Sequence, residues 1–206
     1  MWCFVKDGKV VSATVSADNN QWNDQTLGNL AQMIANDRQS CVDMGIFEFV
    51  DNPTISPYHN LGIPTYDINV DTGIVTAHYE QILKSDEELR MIKRNEISAH
   101  KKNHLNSGII FKDKTIQTNE TAMVSLSNLA SRVARKAIPQ SGLRWRTKDN
   151  EFLQLSVSEC ADLLKAVDAH RDQCIDNQAT LESALSSLSG EALAVYDVST
   201  GWKQLN

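Results

Sequence analysis

No stretch of this chain is apolar for long enough to span a membrane, so no membrane insertion is expected. Basic charge is also in short supply. Twenty Lys and Arg face 26 Asp and Glu, for a net charge of −6 at pH 7. A general nucleic-acid binder needs a basic surface to neutralise phosphates, which makes nucleic acid an unfavoured partner. The first seven residues carry neither a basic stretch nor an apolar core, so no secretory signal is read there. Four cysteines are present, Cys3, Cys41, Cys160 and Cys174, and none forms a Cys-x-x-Cys pair. A zinc knuckle is therefore not expected, and the four read as buried, reduced thiols of a protein made in a cytosol. Reaction signatures are missing as well: no Gly-rich phosphate loop, no GxSxG elbow, no His-Glu-x-x-His and no kinase set. The chain is expected to be non-enzymatic, with no cofactor and no metal.

What is there reads as an α+β protein of 206 residues, enough for one or two domains. Residues 1–84 read as a small N-terminal α+β docking module of hairpins plus one helix. Residues 2–6 and 9–14 flank Asp7-Gly8, a strong hairpin signal. Leu27, Leu30 and Ile34 have helical spacing and predict a helix over 24–37. A strand is expected at 45–50. Pro53, Pro57 and Pro64 follow it and predict an extended loop. Residues 66–70 and 74–82 then flank Asp71-Thr72-Gly73, a further hairpin. Asp67 and Asp71 pair two carboxylates, but around a turn, where Asp has a structural reason to be.

Residues 85–189 read as helix, hairpin, helix, hairpin, long helix. Ser85 with Glu88 has capping-box spacing and opens a helix to about residue 106 with a thin apolar face of Leu89, Ile92, Ile97 and Ala99. A hairpin over 109–118 follows. Met123, Leu126, Ala130, Val133 and Ala137 mark an amphipathic helix that Pro139 stops. Residues 143–148 and 151–155 flank Asp149-Asn150, which suits a two-residue turn. Ser156 and Glu159 make a second capping box, and Cys160, Val167, Cys174, Leu181 and Leu188 then recur every seven residues. Such a repeat keeps one seam toward one partner. A helix over 157–189 would span on the order of 48 Å, longer than a domain of this size needs, so its far half is expected to project or to pack on another chain. Residues 190–206 form a separate tail with a short apolar run around Tyr196, followed by Trp202. They read either as a strand docked on their own chain or as an anchor peptide for a partner. The interface candidates are accordingly Cys174, Gln178, Leu181, Leu185, Leu188, Tyr196 and Trp202, and a homo-oligomer is expected.

Two polar groupings compete for a functional role. His100 and His104 are one helical turn apart, the spacing of paired metal ligands. The intervening Lys101 and Lys102 would repel a cation and no third ligand is evident, so the pair reads as part of a solvated face. Arg132, Arg135, Lys136, Arg144, Arg146 and Lys148 cluster around the second hairpin and could meet an acidic protein surface more readily than nucleic acid, since no aromatic-interleaved strand accompanies them. Trp145 and the arginines read as hairpin and surface structure rather than as a site.

The pattern Leu143-x-Trp145-Arg146-Thr147-x-Asp149-Asn150-x-Phe152-x-x-Leu155-Ser156, followed by Cys160, Leu164, Val167, His170 and Cys174, resembles an uncharacterised C-terminal domain common in bacteriophage tail and tail-fibre-associated proteins. The resemblance covers roughly residues 86–188. Where that family usually turns its first hairpin on Gly, this chain has Asp113-Lys114. Met44-Gly45-Ile46-Phe47, the prolines and the hairpin after them are more loosely similar to N-terminal modules of phage tail proteins. The resemblance implies a virion structural protein of the tail, at the baseplate or fibre attachment region, assembled in the host cytoplasm. Its partners would be other tail, baseplate or fibre proteins. A fibre-assembly chaperone absent from the mature particle is the first alternative, and a host-surface polysaccharide-binding or polysaccharide-degrading tail protein the second. No catalytic role is implied for any residue.

Overall fold

The structure, a computed structural model, describes residues 2–15, 21–22, 25–26 and 36–203. It is α+β and divides into two compact units, residues 1–84 and 85–206. In the first unit, strand β1 (Trp2–Lys6) turns at Asp7-Gly8 into β2 (Lys9–Val15). Both turn residues have positive φ, 51° and 71°, as a twist-matched two-residue hairpin requires. Two short strands, β3 (Gln21–Trp22) and β4 (Gln25–Thr26), pair with each other. The helix expected over 24–37 begins inside that ribbon, so its start is corrected; residues 27–35 lie outside the described residues. Helix α1 (Arg38–Asp43) is capped by Asp37, whose carboxylate accepts from the Ser40 amide at 3.0 Å.

Strand β5 (Ile46–Val50) continues the sheet. The proline-bearing segment carries β6 (His59–Leu61), and β7 (Thr65–Asn69), β8 (Ile74–His78) and β9 (Gln81–Leu83) follow. The five-stranded sheet has the order β2-β1-β5-β8-β7, with β5 and β8 parallel and the other pairs antiparallel. β6 and β9 form a separate ribbon. Cys3, Phe47, Phe49 and Val75 make the sheet's share of the core, and Val42 of α1 packs onto them.

The second unit is built on two long antiparallel helices. Helix α2 (Asp86–Ser107) begins at a complete capping box of Ser85 and Glu88. Strands β10 (Ile109–Phe111) and β11 (Lys114–Ile116) make the first hairpin. Helix α3 (Glu120–Ala134) is capped by Asn119. Strands β12 (Leu143–Arg146) and β13 (Phe152–Leu155) make the second hairpin. Helix α4 (Val157–Ser187) starts at the capping box of Ser156 and Glu159, and the short helix α5 (Glu191–Ala194) lies in the tail. Ile109, Ile116, Leu126, Leu129, Leu155, Cys160, Leu163 and Val167 form one core, joining both hairpins, α3 and the first half of α4.

Both hairpin turns differ from expectation. Lys112 and Asp113 occupy the first turn, at φ 51° and 60°, and Lys114 already belongs to β11. In the second, Thr147 donates its N–H to Glu151 and Asn150 sits at φ 62°, so the loop is three residues long, Lys148 to Asn150. A three-residue loop of this kind places its last residue in the left-handed region, which Asn tolerates.

The heptad seam is a cis contact. Its far half does not project from the unit, because α2 runs antiparallel along it. Lys101 Nζ donates to Gln178 Oε1 at 2.7 Å, and the His170 Nε2–H donates to the His104 carbonyl at 3.0 Å. At the other end, the Arg90 guanidinium donates to the carbonyls of Leu185 (3.3 Å) and Leu188 (2.8 Å), satisfying orphan acceptors at the C-terminus of α4. Cys174 and Leu181 are 4% exposed and Leu185 is fully buried, all within their own unit. Interface roles for these three are therefore corrected to core roles. Gln178 and Leu188 are half-buried along the same pair of helices.

Candidate functional site

The tail that was expected as a strand or an anchor is a helical clasp on its own unit. The Gly190 amide donates to Asp86 Oδ1 at 2.8 Å, fixing the turn out of α4. Leu193 is fully buried, Ala194 and Val198 are 4% exposed, and Asn177 Nδ2 donates to the Thr200 carbonyl at 3.1 Å. Trp202 Nε1 donates to the Val198 carbonyl at 2.9 Å, and its ring stacks on His104 and His100 with centroids 5.5 and 6.4 Å away. The two histidines are thus half-buried under an indole, which corrects the solvated-face reading. Burial pushes the His104 ring below the ordinary imidazole pKa, and the His170 and His100 rings add to that. Asp197 is held below the usual carboxylate range, chiefly by hydrogen bonds from Ser199. Of the remaining interface candidates, Tyr196 is half-buried in this clasp. Among the described residues no group of three His, Cys, Asp or Glu is arranged to hold a metal ion.

His170 belongs to the sequence pattern described above, but that pattern gives it no role. It is fully buried in α4, with Nε2 bonded to α2 and Nδ1 without a partner among the described residues. Its signal was present, since it follows the buried Leu163 by seven residues on the same face. All four cysteines are free and buried; burial raises the Cys3 thiol to about 11, which removes it from thiolate chemistry near neutrality.

The second feature is an open groove of about 530 Å³ between α3 and the outer edge of β12. It collects three of the six expected basic residues: Arg132 from α3, and Arg144 and Arg146 from β12. The floor includes Trp145, and Thr121, Ala122 and Ser125 of α3 form the opposite wall. Alternation along the hairpin explains the arrangement. Leu143, Trp145, Leu153 and Leu155 turn inward onto the core, so Arg144, Arg146, Phe152 and Gln154 share the outer face. The Arg144 guanidinium lies 4.2 Å from the centroid of the Phe152 ring, a cation–π contact across the hairpin. Arg135, Lys136 and Lys148 are exposed and do not line the groove. On the far side of the hairpins, Lys112 pairs with Glu159 and Lys114 with Glu151. Lys112, with further bonds from Ser156, lowers Glu159 to about 2.

The family model described as "Domain of unknown function (DUF4376)" matches residues 88–200. The chain belongs to that family. No curated protein and no solved structure matches it. The matched span opens two residues into α2 and runs past α5, so the DUF4376 region takes in the clasp up to Thr200 as well as both hairpins and the paired helices. The arginine groove lies wholly inside it.

Proposed function

We propose that this DUF4376 protein is a non-enzymatic interaction protein of a bacteriophage tail, placed at the baseplate or fibre attachment region and assembled in the host cytoplasm. The resemblance of residues 143–174 to a domain common in tail-associated proteins motivates the reading. One structural observation carries the interaction part. The hairpin at the centre of that resemblance anchors itself through Trp145 and Leu155, and turns Arg144, Arg146 and Phe152 outward beside an open groove. A rigid helical frame that presents such a face suits docking to another protein more than it suits chemistry. The first unit would then join a second tail component.

Mass spectrometry of purified virions tests the location. Recovery of the chain in fixed stoichiometry with the tail proteins is the expected result. Its absence from particles, together with co-purification with unassembled fibre, would replace this reading with the assembly chaperone.

A further inference from the structure

We infer that the groove between β12 and α3 receives an extended acidic peptide of a partner protein, which pairs with β12 as an added strand. The inference rests on the interaction-module part of the proposal above and is independent of a phage location.

The edge of β12 is the first reason. Thr147 N–H donates to Glu151 at 2.9 Å, and the register pairs Trp145 with Leu153 and Leu143 with Leu155. Antiparallel pairs alternate between bonded and non-bonded, so the bonded pairs involve residues 143, 145 and 147. The main-chain N–H and C=O of Arg144 and Arg146 therefore turn away from β13. Among the described residues that sheet has two strands, and this edge lines the groove. One residue further on, the Lys148 N–H does find a partner on this outer edge, the Thr115 carbonyl of β11 at 2.9 Å. Among the described residues the edge is thus paired at one end and open along the rest. Residues 143–147 offer about 16 Å of it, room for four or five residues of an incoming strand.

Charge is the second reason. Arg132, Arg144 and Arg146 converge on the groove, and its lining contains no acidic side chain. Among the described residues none of the three forms an ion pair. Alternate residues of a strand lie on one face, so carboxylates at every second position of the peptide would meet Arg144 and Arg146, with Arg132 reaching from the helix wall. A nucleic acid would use the arginines but could not use the strand edge, and the chain's net charge of −6 opposes it.

Titration of the ¹⁵N-labelled full chain with an alternating glutamate–valine octapeptide tests the proposal without any substitution. The expected result is saturable amide shifts concentrated at residues 143–147 and along α3. Fluorescence anisotropy of the labelled peptide should weaken about tenfold on combined Arg144→Glu and Arg146→Glu substitution, with circular dichroism confirming the fold. It should weaken comparably when alternate peptide amides are N-methylated. Equal binding of the methylated peptide would overturn the added strand. No shifts in the groove at about 1 mM peptide would overturn the site. Displacement of the peptide by a single-stranded oligothymidylate of higher affinity would assign the groove to nucleic acid instead. Failure here with recovery of the chain in virions would remove the groove and leave the tail assignment standing.

Discussion

Replacing Leu193 by alanine separates a tail that belongs to its own unit from one that serves a partner. Leu193 is fully buried beside α2, in a tail segment also fixed by the Gly190–Asp86 and Asn177–Thr200 hydrogen bonds. Truncating a fully buried leucine costs roughly 2.7–5 kcal/mol, set by how far the site collapses. α5 is one short turn at the edge of the unit and can settle inward, so about 3 kcal/mol is expected. For a unit of this size that is a fall in Tm of about 12 °C. Hydrogen-exchange mass spectrometry on the full chain reads the effect where it should occur, as faster exchange of amides in α2 and α4 with the first unit unchanged. The loss should not depend on protein concentration, because the contact is intramolecular. A loss below about 1 kcal/mol, or a Tm that rises with concentration, would show that Leu193 packs in trans and would refute the cis clasp.

Gly108 closes α2 at φ 93°, where an added Cβ would lie 2.5 Å from the Ile116 carbonyl. Gly108→Ala is expected to cost at least about 2 kcal/mol, measured by thermal unfolding. Asp113→Gly relieves a left-handed residue in the first hairpin turn and should raise stability by up to about 1 kcal/mol in urea titrations. Glu159 falls from its ordinary value to about 2 in the folded chain, so the stability it contributes is full above about pH 4.5 and is lost as pH falls toward 2. Lys112→Met removes the largest cause and should flatten that acid limb. His104 binds its proton more weakly when folded, so stability should also fall as pH drops below about 6.5, and this limb should vanish in His104→Gln.

The elements were legible where local chemistry decides them. Ser85, Asn119 and Ser156 announce their helices because a cap is a bond between residues three apart. Asp7-Gly8 announces its hairpin because the turn needs φ > 0 at adjacent residues. The parallel pairing of β5 with β8 was not legible, since nothing in either strand encodes a partner over twenty residues away. The groove was half legible. The six basic residues cluster in sequence, but only pleat alternation and the packing of α3 decide that Arg132, Arg144 and Arg146 converge while Arg135, Lys136 and Lys148 do not.

The seven-residue repeat in α4 makes the same point about partners. Such a repeat states that one stripe of a helix stays covered along its length, and says nothing about what covers it. Here the covering comes from two sources. Cys160, Leu163 and Val167 meet the hairpins and α3, whereas the stripe beyond His170 runs along α2, whose own apolar face is too thin to look like a partner. Polar bonds supplement that thin face: Lys101 to Gln178, His170 to the His104 carbonyl, and Arg90 to the last carbonyls of α4. Each spans more than sixty residues of sequence, so none leaves a local signature. A helix that looks too long for its domain is then matched by a polar-edged neighbour of the same chain, and the surface we propose for a partner is the hairpin edge rather than the seam.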